Sequence, residues 1–217
     1  PHSPPRSRPA QRAVSLQERY EEHHRERRDE GDFVFVPERI PLFLAAIGSG
    51  RRVLDLGCRS GALTRHFLEG NHVVGLDVDR AALAKAEALG IEPVVADVEE
   101  PLPFADASFD AVVAGELLEH LQFPEALVAE ARRVLRPGGV LVGSVPNAFR
   151  LQSRLRFLGG RAPEDDPTHL HLFSPSAIRE LLRGLEDVTL DYVGGRYRRL
   201  HPRLLARDVV FSGTKAR

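Results

Sequence analysis

Short apolar runs alternate with amphipathic stretches over most of the chain. The runs at 52–55 and 72–77 are rich in Val and Leu and have the length of buried strands. After them, apolar residues recur at spacings of three and four, which predicts helices. The predicted strands are 52–55, 72–77, 93–96, 110–114, 139–145, 187–193 and 207–213, and the predicted helices are 38–47, 61–69, 80–89, 124–135 and 175–183. Strands alternating with helices predict parallel βαβ units.

This order predicts an α/β fold: a doubly wound, seven-stranded, mostly parallel sheet. The last two strands predict a terminal hairpin and an antiparallel edge strand. Residues 1–14 are rich in Pro, Ser and Arg, which predicts a disordered tail. Ser15 and Glu18 form a capping-box pattern that opens a charged helix through about Arg28. We expect a single domain over 15–217 with this helical N-terminal extension.

Composition narrows the class of protein. The 217 residues, of which 42% are hydrophobic, can build one substantial core. Basic and acidic residues nearly balance (30 against 31), so no basic field indicates DNA binding. The single cysteine, Cys58, excludes an intramolecular disulfide and fits a reducing compartment. We see no apolar run of about 18 residues and no signal-peptide pattern, so we expect a cytoplasmic protein without stable membrane insertion.

A glycine loop, Gly57-Cys58-Arg59-Ser60-Gly61, follows the strand that carries Asp55. The loop lacks the Lys-Ser/Thr of a P-loop, and Arg59 occupies the second glycine position of the dinucleotide fingerprint. A carboxylate at Asp55 would repel a pyrophosphate by several kcal/mol in a partly dry cleft. The same carboxylate suits a ligand with an ammonium or sulfonium group. S-adenosylmethionine carries both groups and no phosphate, so it is the predicted cofactor.

Two further acids follow the next two predicted strands. Asp77 lies about 20 residues past the first glycine, the spacing at which an acid binds ribose hydroxyls in nucleotide folds. Asp97 could accept from an adenine amino group while Val98 packs on the ring. Asp79 fits better as an N-cap of the following helix. Because carboxyl ends of parallel strands share one edge, we expect Asp55, Asp77 and Asp97 to line that edge.

Four stretches resemble the successive motifs of class I S-adenosylmethionine-dependent methyltransferases. They are "VLDLGCRSG", "GLDVD", "VVADVEEPLPFADASFDAVVAGELLEHL" and "RRVLRPGGVLVGSVPN", and the resemblance covers about residues 50–147. It implies a Rossmann-like fold and this cofactor. It also implies cofactor-binding roles for Asp55, Gly57 and Gly61 at the methionine end, Asp77 at the ribose, Asp97 and Val98 at the adenine, and Gly115 and Glu116 on the sulfonium side. Cys58 and Val78, which adjoin these residues, are further cofactor-binding candidates. Arg59 departs from the family, which usually has glycine there.

Weaker similarities reach into the subfamilies. The stretch "VPNAFRLQSRLRFLGGRAPEDDPTHLHLFSP" is similar to MetW-type methionine-biosynthesis proteins, and "GELLEHL" is similar to ubiquinone-biosynthesis O-methyltransferases.

His120 is the candidate catalytic residue on the acceptor side. A hydroxyl acceptor benefits from a base that takes its proton, and His120 follows the fourth predicted strand. A structural histidine at a helix start is the alternative. Glu116, Glu119 and His120 would share one helical face, and with His169 or His171 they could bind a divalent metal. That set resembles the metal site of small-RNA 3′-end methyltransferases. We assign no metal, because most proteins with a similar turn bind none there.

Residues 147–172 are too long for a simple connection and carry several arginines among leucines. We favour a lid-like insertion that covers the acceptor and offers arginines to an anionic group. A solvated amphipathic helix and a membrane-surface contact stay open as alternatives. Cys58 fits a small buried residue better than a nucleophile, because no base is near it in sequence.

Three functions remain. The first is methyl transfer to a small-molecule acceptor, with an oxygen as the favoured atom. The second is a cofactor-binding partner protein of another biosynthetic enzyme, without its own turnover. The third is a metal-dependent RNA 2′-O-methyltransferase. The sequence identifies neither the acceptor nor the pathway, and it leaves a homodimer open.

Overall fold

A computed structural model describes residues 36–163 and 166–217 of the chain. The predicted tail over 1–14 and the predicted helix from Ser15 to about Arg28 lie outside these residues. Among the described helices, none has the length and apolar character needed to cross a bilayer.

Seven strands and six helices make up the described part. The strands are β1 (Arg52–Leu56), β2 (His72–Asp77), β3 (Glu92–Val95), β4 (Phe109–Gly115), β5 (Leu135–Pro146), β6 (Leu185–Val193) and β7 (Asp208–Lys215). The helices are α1 (Ile40–Ile47), α2 (Arg80–Ala88), α3 (Pro124–Val134), α4 (Leu151–Leu158), α5 (Pro175–Leu181) and α6 (Pro202–Leu205). Three short 3₁₀ turns, Pro37–Arg39, Thr64–His66 and Leu118–His120, complete the set.

All seven strands form one sheet in the order β3-β2-β1-β4-β5-β7-β6. Strands β1 to β5 pair in parallel, and β7 runs antiparallel to both β5 and β6. The predicted doubly wound, mostly parallel sheet is confirmed, with its antiparallel pairing at the β6–β7 edge. Because β1 to β5 are parallel, the residues at their carboxyl ends lie along one edge of the sheet.

Alternating strand residues bury two cores, one on each face of the sheet. On one face, Leu54 and Leu56 join a cluster that includes Leu127 and Val128 of α3. On the other face, Val53 joins a cluster with Phe43 of α1 and Ala86 of α2. A side-chain period of two on β1 therefore places successive residues in opposite cores, as expected for a sheet covered by helices on both faces.

The predicted helix over 61–69 is wrong. Only the 3₁₀ turn Thr64–His66 forms there. The Thr64 hydroxyl donates to Asp55, and the Asn71 side chain donates to the Phe67 and Gly48 carbonyls. These side chains hold the chain in turns, since such bonds compete with the i to i−4 pattern of a helix.

Other elements also differ from the prediction, among them α4, which is absent from the predicted helices, and β6, which begins at Leu185. β5 begins at Leu135, not at 139, because Leu135 pairs with Phe109 before a register shift. The short helix α6, with Pro at its first turn, was not predicted.

Candidate functional site

Three carboxylates lie at the carboxyl ends of β1, β2 and β3. Asp55 is the fourth residue of β1 and is 3% exposed, and Asp77 ends β2 and is 8% exposed. Asp97 follows β3 by two residues and is half-buried. The neighbouring order β3-β2-β1 sets them along one edge, as the sequence predicts. Burying a carboxylate is costly unless it gains a partner, so the edge around Asp55 and Asp77 is a candidate site for a cationic or hydroxyl-rich ligand.

Asp55 is held at the end of β1 by one hydroxyl. The Thr64 hydroxyl donates to Asp55 Oδ2 at 2.5 Å. Burial raises the pKa of Asp55 to about 7; the Thr64 hydrogen bond opposes that rise, and the Asp77 charge adds to it. Burial therefore favours the protonated carboxyl, and a neighbouring cation would favour its ionisation.

Asp77 organises the glycine loop around itself. Its Oδ2 accepts from the Arg59 backbone N–H and its Oδ1 from the Asp79 N–H, both at 2.9 Å. Burial raises the pKa of Asp77, and these two hydrogen bonds oppose the rise. A carboxylate has about four lone-pair sites, so each oxygen can accept one more hydrogen bond. The group could thus bind a pair of hydroxyls. Asp79 caps α2, as predicted, by accepting from Ala81 and Ala82.

The glycine loop turns its N–H groups toward the protein. Gly57 and Cys58 both donate to the Leu76 carbonyl, at 2.8 and 3.2 Å, and Gly61 donates to Cys58 at 2.9 Å. With Arg59 donating to Asp77, these donors are not available as a nest for phosphate, which phosphate-binding loops require. The loop and its two acids present oxygen acceptors instead. This geometry fits a cationic group, in agreement with the charge argument from Asp55.

Left-handed backbone explains two of the glycines. Gly57 and Gly61 have φ of 68° and 80°, and a Cβ at Gly61 would lie 2.6 Å from the Ile91 side chain. Arg59 adopts φ of 49°, a conformation that favours glycine. The loop therefore keeps its shape without the usual glycine, and the half-buried Arg59 side chain does not turn fully to solvent.

The remaining predicted cofactor residues flank this edge. Asp97 Oδ1 accepts from the Glu99 N–H at 2.9 Å, and Val98 packs partly buried against the core. Val78 is half-buried directly after Asp77. Cys58 is buried, and a Cβ at Gly75 would lie 2.6 Å from its sulfur. Burial raises the pKa of the Cys58 thiol, which keeps it protonated and packed.

Glu116 belongs to a charge cluster that the sequence did not reveal. Arg39 lies 2.9 Å from Glu116 Oε1 and 3.6 Å from Asp208 Oδ2, and it donates to the Ser144 hydroxyl at 2.9 Å. The cluster ties the end of β4 to the start of β7. Burial raises the pKa of Asp208 to about 7; the Glu116 charge adds to the rise and the Arg39 charge opposes it. Glu116 itself has φ of 52°, and its N–H donates to Ser144 O.

Gly115 allows this edge to pack closely. A Cβ there would lie 2.8 Å from Leu63. Glycine at the end of β4 therefore admits the segment after the glycine loop, since any larger residue would push Leu63 away.

His120 ends the 3₁₀ turn after β4 and is held by Thr168. Its Nδ1 lies 3.2 Å from the Thr168 carbonyl oxygen and 3.1 Å from the Thr168 hydroxyl. That hydroxyl donates to Asp166, so both partners of Nδ1 are acceptors. Nδ1 therefore carries the proton in the neutral ring, and Nε2 carries the lone pair. In the same turn, the Glu119 carbonyl accepts hydrogen bonds from the backbone N–H groups of Leu170 and His171.

Glu119, His120 and His169 could hold a metal ion. One ligand atom from each lies within 4.8 Å of the others. Two ligands about 2.1 Å from a tetrahedral ion are about 3.4 Å apart, so a pair of these atoms at the 4.8 Å limit would have to move closer by more than about 1 Å. Of the residues that the sequence grouped for a metal, Glu116 pairs with Arg39 instead. His171 stacks on Phe173, with ring centroids 5.6 Å apart.

Comparisons with known proteins place the chain among methyltransferases. The model of a family described as a methyltransferase domain matches residues 54–143. A probable S-adenosylmethionine-dependent methyltransferase of Mycolicibacterium smegmatis is 36% identical over 137 residues, 62% of this chain and 51% of the relative. A ubiquinone biosynthesis O-methyltransferase of Alkalilimnicola ehrlichii is 37% identical over 183 residues, 75% of this chain and 74% of the relative.

The extent of the matches differs between the curated relatives and the solved structures. The chain spans about half the length of the first curated relatives it matches. A crystal structure of an S-adenosylmethionine-dependent methyltransferase from Thermotoga maritima, a possible histamine N-methyltransferase, has a TM-score of 0.69 at 20% identity. The match covers 92% of this chain and 98% of the solved chain. At 20% identity it shows that the two chains share the fold.

Proposed function

Because the chain belongs to the class I S-adenosylmethionine-dependent methyltransferase superfamily, we propose that it moves a methyl group to an oxygen of a small-molecule acceptor. The observation that carries the proposal is the line of carboxylates at the ends of β1, β2 and β3 beside a loop whose N–H groups point inward. When bound, S-adenosylmethionine supplies an electrophilic methyl group on a sulfonium. The residues of the chain have to align the two reactants and exclude water.

The three acids divide the cofactor between them in this proposal. Asp55 pairs with the ammonium group, because a buried carboxylate needs a cationic partner. The cation would lower the pKa that burial has raised. Asp77 accepts from the ribose hydroxyls with the lone pairs left beside Arg59 and Asp79. Asp97 and Val98 take the adenine. Gly57, Cys58 and Gly61 shape the loop, while Val78, Gly115 and Glu116 border the rest of the cofactor.

His120 removes the acceptor proton at Nε2. Thr168 fixes the tautomer by accepting from Nδ1–H, which leaves the Nε2 lone pair for the proton. Glu119 Oε1, 3.9 Å from Nε2, stabilises the imidazolium that forms. Oxygen is the favoured acceptor atom because a hydroxyl needs such a base, and because the A. ehrlichii relative is named an O-methyltransferase.

Calorimetry and a transfer assay test this proposal together. The unmodified protein should bind S-adenosylmethionine and transfer labelled methyl groups to a metabolite pool. His120→Ala should lower transfer by about 10²–10⁴ with little change in cofactor affinity. His72→Ala is the matched control, because His72 is exposed and pairs only with Glu92 among the described residues.

The other outcomes assign other functions. Cofactor binding without transfer to any pool would favour the partner protein. A chelator that abolishes transfer, with Glu119→Ala and His169→Ala as damaging as His120→Ala, would favour a metal at the Glu119, His120 and His169 group. Transfer to RNA alone would favour the RNA methyltransferase. A lower melting temperature of His120→Ala, with unchanged transfer per folded molecule, would make His120 structural.

A further inference from the structure

A cleft of about 890 Å³ lies between α4 and α6. Its lining contains four arginines, one amide and four leucines: Arg150, Arg156, Arg161, Arg207, Gln152, Leu151, Leu155, Leu204 and Leu205. No acidic residue lines it within the described ranges. A volume of this size accommodates a small-molecule ligand.

We propose that this cleft binds an oxyanion of phosphate or carboxylate type on the methyl acceptor, with the apolar body of the acceptor against the leucines. The proposal rests on the proposed methyl transfer. It deepens that function by naming the substrate class, an amphiphilic small molecule with an anionic group.

The arginines come from two parts of the chain. Arg150 precedes α4, Arg156 lies on it, Arg161 follows it, and Arg207 precedes β7. A solvated basic helix face would carry its arginines on one element and spread them outward. Here a residue about 50 positions away in sequence completes the set, and Arg150 and Arg156 are half-buried. Like charges gathered around one cleft repel each other, and an anion removes that repulsion.

Three of these guanidinium groups form no ion pair with the described residues and are open to a ligand, since Arg161 and Arg207 are exposed and Arg150 is half-buried. The structure gives Arg150, Arg161 and Arg207 no ion-pair partner among the residues it describes. Arg156 is engaged, since its Nε donates to the Ala162 carbonyl at 3.0 Å. The planar guanidinium donates two parallel hydrogen bonds to phosphate or carboxylate, so three such groups favour an oxyanion over a neutral polar ligand.

The cleft adjoins the charge cluster of Arg39, Glu116 and Asp208 through Arg207. Arg207 precedes Asp208, which pairs in register with Pro146 at the carboxyl end of β5. The charges of Arg207 and Arg150 act on Asp208 and oppose the rise of its pKa. Arg39 then joins Asp208 to Glu116 at the end of β4. An acceptor anchored in the cleft would therefore extend along the carboxyl edge toward β4.

The segment 147–172, which follows β5, contacts both the cleft and His120. Its helix α4 lines the cleft, and Thr168 near its other end contacts His120. The anion and the reacting oxygen would thus lie against opposite ends of the same segment.

Inorganic pyrophosphate is the probe for the test, titrated by calorimetry at low salt with S-adenosylhomocysteine present. The unmodified protein should bind it, and Arg161→Gln/Arg207→Gln should weaken binding about ten- to hundredfold, as expected for lost hydrogen bonds between charged groups. Arg179→Gln on α5 is the matched control. Arg179 is exposed, lies outside the lining and donates only a 3.4 Å bond to Val188 O in the described structure, so its replacement should change nothing.

Absence of pyrophosphate binding by the unmodified protein, or an equal loss in Arg179→Gln, overturns the anion site. Two other results reassign the cleft and overturn the proposal. One is binding of an oligoribonucleotide that strengthens with length and that pyrophosphate does not displace. The other is sedimentation with phosphatidylglycerol vesicles without binding of pyrophosphate.

The labelled products of the metabolite screen give an independent readout. Products retained on an anion exchanger support the proposal, and neutral products overturn it. Failure of S-adenosylhomocysteine to bind would instead refute the proposed function, so the two failures are distinguishable.

Discussion

At the scale of single residues, the buried carboxyl of Asp55 predicts a pH dependence of cofactor binding. Its pKa is raised to about 7 by burial, while a bound ammonium group requires the ionised form. Affinity for S-adenosylmethionine should therefore increase as the pH rises through about 7, and then level off. Asp55→Asn should abolish this dependence and weaken binding by about 1.5–3 kcal/mol. Calorimetry across this pH range measures both, and a pH-independent affinity of the unmodified protein would contradict the assignment.

The same residue gives a control in the free protein. A carboxyl whose pKa is higher in the folded than in the unfolded state keeps its proton up to a higher pH in the folded state. Stability from Asp55 is therefore lost as the pH rises from about 4 through about 7. The melting temperature of Asp55→Asn minus that of the unmodified protein should therefore be larger at pH 8 than at pH 5. A folded, stable variant with weak cofactor binding separates function from folding.

Some residues of the candidate site could be predicted from the sequence, and others could not for a physical reason. Asp55 and Asp77 were predictable because strand ends and the glycine loop mark them in sequence. Thr64, Thr168 and Arg39 carry no such mark, since each acts through a partner brought close only by the fold. Arg39 and Asp208 are 169 positions apart, and no local pattern relates them.

At the scale of elements, strands were predicted more accurately than the segments between them. Buried strands of a parallel sheet read as continuous apolar runs, so their bounds differ from the prediction by few residues except at the start of β5. The predicted helix over 61–69 failed although its apolar spacing is helical. Thr64 within the segment donates to the Asp55 carboxylate, and Asn71 just after it donates to the Phe67 carbonyl; these contacts outweigh helical periodicity.

The helix α4 should unfold without the rest of the domain. Its only buried residue is Ser153, and Leu155 is 59% exposed. Leu155→Pro should therefore raise hydrogen exchange over 151–158 and weaken pyrophosphate binding, with little change in melting temperature or cofactor affinity. Ala86→Pro in α2 is the control. Ala86 is fully buried, so the substitution should destabilise the domain by about 3 kcal/mol or more.

If Leu155→Pro lowers the melting temperature as much as Ala86→Pro does, α4 belongs to the core. The prediction that residues 147–172 act as a lid would then be wrong. Slower exchange in α4 with cofactor and pyrophosphate bound would support it.

At the scale of the molecule, the order of parallel strands follows from general rules, and the place of β7 does not. Right-handed crossovers and short connections favour β3-β2-β1-β4-β5 once the βαβ pattern is known. A terminal hairpin could extend the sheet with either strand next to β5. β7 takes that position, and this choice brings Asp208 to Pro146 and Arg39. The charge cluster at the carboxyl edge is therefore a product of topology.

Arg39 should stabilise the molecule by joining β4 to β7, and its contribution should depend on pH. Arg39→Met leaves the Glu116 and Asp208 carboxyls without their nearest cation, which should cost less than the about 3–5 kcal/mol of a fully buried pair, because the Glu116 side chain is 31% exposed. Because the pKa of Asp208 is already raised to about 7 and would rise further without Arg39, the loss should be larger at pH 8 than at pH 5, where Asp208 is protonated in both proteins. Denaturant unfolding at the two pH values measures the difference. Arg39→Met/Asp208→Asn should recover part of the stability at pH 8, since it removes one unpaired charge. An equal loss at both pH values, with no recovery in the double variant, would mean that Arg39 acts through its bonds to Ser144 and Val36.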